Sequence, residues 1–215
     1  MASIYDLKPR FQGLLRPLSD KLATIGCTAN QVTVLAVVCS LIVGALIALN
    51  PNEHWPLLVL PPFLFFRMAL NAIDGMLARE HNMKSNLGLV LNELGDVVAD
   101  AGLYLPLALI SGVSGELVTI IVLLSVMSEM TGVIGVQLGT TRRYEGPLGK
   151  SDRAFLFGFL ALLIGLGIQP QPWVDYVLWM MILLLILTIV NRARKSLSEV
   201  ESTGDRPTED SAKPV

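Results

Sequence analysis

Apolar residues gather along the chain into six runs near twenty residues long, divided by short polar segments. A bilayer core about 30 Å thick is crossed by roughly 20 helical residues. The runs therefore predict spans at Thr33–Leu49, Trp55–Leu77, Gly88–Ile110, Leu117–Gly139, Ala154–Ile168 and Trp173–Val190, the short fifth one extending into its flanks. Before the first run, Leu7, Phe11, Leu14, Leu15, Leu18 and Leu22 recur at helical spacing among Lys8, Arg10, Arg16, Asp20 and Lys21. That pattern predicts an amphipathic helix, either lying in the membrane interface or capping the bundle, with Pro9 and Pro17 limiting its regularity. The fold class expected is an all-α integral membrane protein of six transmembrane helices preceded by this interfacial helix. Residues 1–195 would form one domain, in which 1–30 lead into the first span. After Lys195 the chain turns polar, acidic and Pro-containing, which predicts a disordered cytoplasmic tail over 196–215.

Composition strengthens the membrane reading: of 215 residues, 53% are hydrophobic and only 16% charged. The formal charge of -2 excludes the basic excess of a nucleic-acid binder. Cys27 and Cys39 have neither the pairing nor the spacing of a disulfide framework or a zinc site and read as small packing residues. No cleavable signal sequence is expected, since Lys8, Arg10, Arg16 and Lys21 interrupt the first thirty residues. Lys and Arg cluster before span one, between spans two and three, between four and five, and after six, whereas 50–54, 111–116 and 169–172 contain none. Both termini are thereby expected on the cytoplasmic side of the membrane.

Polar residues inside the spans carry the candidate chemistry. Asn71 and Asp74 close span two, and Asn92, Glu93, Asp96 and Asp100 lie along span three, where ionised carboxylates are expensive unless something compensates them. On a helix, positions 92, 96 and 100 advance about 40° per step, so these side chains can face one partner. Counting from Gly88 puts Asn92, Asp96 and Asp100 about 6, 12 and 18 Å into the span. Oxygen-only ligands suit a hard divalent cation such as Mg²⁺, Mn²⁺ or Ca²⁺ and speak against zinc. Gly75 allows close backbone approach, Ala78 keeps the surface shallow, and Arg79 offers a guanidinium suited to phosphate. Deeper in the bundle, Arg67, Asp100 and Glu129 share one level, which predicts that Arg67 neutralises Asp100, Glu129 or both.

The run Asn71-Ala-Ile-Asp74-Gly75-Met-Leu-Ala78-Arg79, followed by Gly88, Asn92 and Asp96 at fixed spacing, resembles the signature DxxDGxxARx8GxxxDxxxD of the CDP-alcohol phosphotransferase family. Thr28-Ala-Asn30-Gln-Val-Thr33 is similar to that family's TPNxxT approach to the first span. Asn stands at the first and third aspartate positions, as in a bacterial subgroup with the same NxxDG variant, so the four positions keep two carboxylates and weaker metal binding is expected.

The resemblance implies transfer of a phosphatidyl group from a CDP-linked lipid, CDP-diacylglycerol in most of the family, to an alcohol acceptor, with release of CMP during phospholipid synthesis. It implies Mg²⁺ or Mn²⁺ held through Asn71, Asp74, Asn92 and Asp96, with Glu93 and Asp100 as candidates to restore charge. Asp96 would be the catalytic base, and Gly75, Ala78, Arg79 and Gly88 would shape the CDP site. Arg142, Arg143, Lys150, Asp152 and Arg153 are candidates to bind the acceptor, for which a polyol phosphate, serine and an amino alcohol all stay open. A homodimer is implied as well. Two other classes remain: a catalytically degenerate CDP-lipid or metal-binding membrane protein, and a small cation transporter.

Overall fold

The computed structural model describes residues 4–204, and side chains over 11–201. Every regular element among them is helical. Helices α1 (Ile4–Thr24), α2 (Ala29–Leu49), α3 (Trp55–Glu80), α4 (Asn86–Tyr104), α5 (Gly115–Gln137), α6 (Lys150–Gly165) and α7 (Trp173–Gly204) follow one another, and a 3-10 turn (Leu105–Leu109) extends α4. That turn begins beside Pro106, which has no N–H to continue the α ladder. Four helices, α2, α3, α5 and α7, are long and apolar enough to cross a membrane. Large apolar side chains such as Phe65, Leu123, Met130 and Leu183 face outward, the arrangement expected where lipid is the solvent.

Small residues set how closely the helices pack. A Cβ on Gly44 would sit 1.9 Å from the Gly102 carbonyl oxygen, so α2 and α4 approach through bare backbone. One on Gly95 would meet Val37, and one on Gly88 would stand 2.7 Å from Asn30 Oδ1. Away from the polar end, Leu57, Leu60, Leu103, Ile121, Phe157 and Met181 fill a dry core in which Tyr104 stacks on Phe157 at 4.2 Å. Helix α1 runs along α3: Leu15 and Leu22 pack on the cluster around Leu70 and Met76, Phe11 meets Phe65 edge-on, and Arg16 forms a forked pair with Glu80. Leu14 and Leu18 stay exposed on its other side.

Helix α2 begins at Ala29, a turn before the expected Thr33, and two further boundaries shift. Helix α6 starts at Lys150 rather than Ala154, because Asp152 Oδ2 accepts from the Gly149 N–H at 2.9 Å and closes its first turn. The tail expected from residue 196 is helical through Gly204. Buried Leu185, Thr188, Arg192 and Ser196 continue one face of α7 past the apolar run, and Glu199 is paired by Arg143. Residues 205–215 lie outside the described residues.

Candidate active site

Three helices bring the motif together at one end of the bundle, where α3 ends and α4 begins. The first contribution is from α2. Thr28 caps it, accepting from Gln31 N while Gln31 Oε1 accepts from Thr28 N. Thr33, just over a turn further, donates its hydroxyl to Asp74 Oδ2 at 2.9 Å. The Thr28–Thr33 segment thus starts a helix, places Asn30 against Gly88 and orients the buried Asp74 carboxylate. From α4, Asp96 faces α3, where Asn71 donates from Nδ2 to Asp96 Oδ1 at 3.4 Å. Lys150, at the start of α6, sets its ammonium on the same oxygen. Arg79 is exposed on the last turn of α3, its guanidinium about 3 Å from where a Gly75 Cβ would stand; among the described residues no carboxylate pairs it.

A layer of buried ion pairs lies beneath. Arg67, 4% exposed, is 2.5 Å from Asp100 and 3.6 Å from Asp96. Arg153 is fully buried, 2.9 Å from Glu129 and 3.5 Å from Asp100, and donates to Ser128 Oγ. Arg192 lies 3.6 Å from Glu129 and donates to the carbonyls of Ser128 and Tyr144. Arg142 pairs through one terminal nitrogen with Glu93 and through the other with Glu129 at 3.3 Å, and stacks 4.7 Å over the Tyr144 ring. Glu129 is therefore shared by three guanidinium groups, which offsets the desolvation each would suffer alone.

Measured against the sequence reading, this layer redistributes several residues. Arg67 neutralises Asp100 as expected, but Glu129 goes to Arg142, Arg153 and Arg192. Glu93 and Asp100, considered as substitutes for the missing aspartates, are both held by arginines instead. Of the acceptor candidates, Lys150 alone stands directly on a motif carboxylate. Arg153 is sealed in the interior, Asp152 caps α6, and Arg143 is turned toward Glu145 and Glu199. Glu145 is held below the usual carboxylate range first by its own backbone amide, with further help from Tyr144 N, Lys195 and Arg143. The sequence reading missed Thr33 as the partner of Asp74, and Arg192 as a buried charge. Its position one turn beyond Thr188 on the buried face of α7 was the available signal.

A groove of 660 Å³ opens from this site along α3 and α6. Arg67, Asn71, Asp96, Lys150 and Ser151 line its polar end, with Tyr144 beside them, and Leu64, Phe65, Phe155, Phe159 and Leu162 line the apolar remainder. A molecule with a polar head and a long apolar tail matches that gradient.

Among the described residues no three His, Cys, Asp or Glu side chains gather closely enough to hold a metal ion by themselves. Asp74 and Asp96 nevertheless supply two hard oxygen donors, and amide oxygens of Asn71 and Asn92 are of the same hard type. Because Asn71 uses Nδ2 on Asp96, its Oδ1 is the atom that would meet a cation. This donor set fits Mg²⁺ or Mn²⁺ rather than a softer ion.

The CDP-alcohol phosphatidyltransferase family model matches residues 27–192. An inner membrane protein of Escherichia coli (strain K12), YnbA, is 41% identical over 196 residues, covering 91% of this chain and 96% of that one. Among solved structures, the phosphatidylinositol phosphate synthase of Mycobacterium tuberculosis in complex with manganese and citrate superposes with a TM-score of 0.68 at 19% identity, over 89% of this chain and 92% of that one. The same synthase with CDP-DAG bound gives 0.65 at 20% identity, over 89% and 97%. At these identities the likeness shows a shared fold.

Proposed function

The chain belongs to the CDP-alcohol phosphatidyltransferase family, and from that premise we propose that it transfers the phosphatidyl group of CDP-diacylglycerol to an alcohol, releasing CMP. The observation that carries the reading is the groove whose polar end holds Arg67, Asn71, Asp96, Lys150 and Ser151 and whose remaining walls are mainly apolar. A CDP-lipid would set its pyrophosphate at that end and its acyl chains along Phe155, Phe159 and Leu162. That the mycobacterial synthase, which shares the fold, is known in complex with manganese and with CDP-DAG bound supports a metal and a CDP-lipid as ligands here.

The chain's own residues divide the work. Asp74, oriented by Thr33, and Asp96 would hold a divalent cation with the amide oxygens of Asn71 and Asn92. When bound, that cation supplies charge neutralisation on the pyrophosphate oxygens. Gly75, Ala78 and Gly88 leave the nucleotide side shallow, and the unpaired Arg79 is placed to grip a phosphate. The acceptor hydroxyl oxygen attacks the lipid-side phosphorus, the bond from that phosphorus to the bridging oxygen breaks, and CMP leaves with the electron pair. Asp96 takes the hydroxyl proton, and Lys150 on the same carboxylate fixes its direction.

We further propose that α4 with its 3-10 extension, and α6, complete six membrane crossings, supported by their packing inside the bundle between the four apolar spans. The α4 segment carries three acidic residues and α6 has only 16 residues, so neither is apolar and long enough when taken alone. The Lys and Arg distribution supports a cytoplasmic site and cytoplasmic termini, with α1 on the same leaflet and its exposed Leu14 and Leu18 toward lipid. The test is CMP release by purified protein from CDP-diacylglycerol with Mg²⁺ or Mn²⁺ and pooled alcohols. Acceptor-dependent release that falls about 10²-fold or more in Asp96→Asn is expected; absence of release from every pool rejects the reading.

A further inference from the structure

Five cations point into the polar end of the bundle, and every one has a carboxylate within ion-pair distance. Arg67 is on Asp100 and Asp96, Lys150 on Asp96, Arg142 on Glu93 and Glu129, Arg153 on Glu129 and Asp100, and Arg192 on Glu129. With Asp74, the carboxylates also number five, so this layer, in part buried and in part half-buried, carries no net formal charge. A divalent cation at Asp74 and Asp96 would be matched by the two negative charges of the CDP-lipid pyrophosphate. Arg79, which no described carboxylate pairs, is taken up by the CDP phosphates, so this layer itself offers no surplus positive charge to a second phosphate, whose burial without one is unfavourable.

Arg67 and Lys150 line the groove itself, held on Asp100 and Asp96, and Arg142 adjoins it, stacked on the lining Tyr144. Both terminal nitrogens of Arg142 are engaged, one by Glu93 and the other by Glu129, so its fork is not open to the bidentate contact a phosphate would make. Neither glutamate belongs to the motif positions, and each sits where it cancels a guanidinium.

Building on the phosphatidyl-transfer reading, we infer that the acceptor is a hydroxyl compound bearing no phosphate, such as a neutral polyol or an amino alcohol. Glu93 and Glu129 exclude phosphomonoesters by neutralising Arg142. The transfer balances as before, the acceptor oxygen forming the new P–O bond, its proton going to Asp96 and CMP departing.

The experiment pairs each acceptor with a phosphorylated counterpart that keeps a free hydroxyl: glycerol with glycerol 3-phosphate, inositol with inositol 1-phosphate, and the amino diol serinol with serinol phosphate. CMP release from CDP-diacylglycerol and Mn²⁺ is followed for wild type and Glu93→Gln. At least one phosphate-free member is expected to react about tenfold faster than its partner, and Glu93→Gln, by freeing one end of Arg142, is expected to shrink that ratio. A phosphorylated member that reacts as fast or faster overturns the inference, as does CMP release indifferent to every acceptor. The wild-type ratio stands without the variant. If no acceptor releases CMP, the phosphatidyl-transfer reading is what fails, and the charge balance is judged by titrating glycerol 3-phosphate against both proteins with 31P NMR. Saturable millimolar binding to wild type overturns it, and binding gained only in Glu93→Gln supports it.

Discussion

Removing one member of the buried charge layer strands its partners without water. Arg153 has no exposed surface and serves both Glu129 and Asp100. Arg153→Met is therefore expected to destabilise the protein by about 3–5 kcal/mol, and Arg67→Leu by a comparable amount. Arg79→Met, at an exposed and unpaired position, should stay within about 0.5 kcal/mol. Melting in a single detergent checks the order; equal midpoints for the three variants would refute it. Part of this layer could be read from residue spacing, since helical rise alone puts Arg67 and Asp100 at one depth. Rise gives depth but leaves open which neighbouring helix a side chain meets. Depth alone therefore leaves both Asp100 and Glu129 open to Arg67, whereas the packing of α5 on α7 and the position of α6 deliver Arg192 and Arg153 to Glu129. The motif residues Asn71, Asp74, Gly75, Arg79, Gly88 and Asp96 were legible because their spacing is fixed by the helices that carry them.

For the helices, the decisive contact is backbone against backbone between α2 and α4. Gly44→Val would push a side chain into the Gly102 carbonyl, moving α4 and the Asp96 it carries. A fall in melting temperature together with loss of CMP release is expected, whereas Gly13→Val, where a Cβ meets nothing within 4 Å, should leave the melting temperature unchanged. Collapse of both variants alike would contradict the close-packing account. Hydrophobic runs located the helices α2 to α7, because burial in lipid demands length and apolarity. They stopped early at α7 and began late at α6, where the helix is extended by capping and ion pairs: Asp152 on Gly149, Arg143 on Glu199. Such contacts leave no trace in a hydropathy pattern.

At the scale of the whole molecule, chemistry and charge collect at one end. Loops 50–54, 111–116 and 169–172 have no Lys or Arg, while the connections at the site end are rich in them. With Cys27 and Cys39 replaced by Ala, a cysteine introduced at Asn52 is expected to react with a membrane-impermeant maleimide added to intact cells, and one at Lys84 to react only after permeabilisation. The reverse pattern would place the site on the outer face and contradict the orientation. The order of the helices and the end of the bundle that carries the motif were legible in the sequence, whereas the cancellation of the basic residues by Glu93 and Glu129 needed three-dimensional contacts to be seen. The central claim, phosphatidyl transfer, is tested most directly by following both products from labelled CDP-diacylglycerol, one label in the cytidine and one in the glycerol backbone. The account predicts CMP and a new phospholipid in equal amounts, dependent on acceptor and divalent cation and absent in Asp96→Asn. CMP accompanied by phosphatidic acid alone, or no turnover under any acceptor, would contradict it.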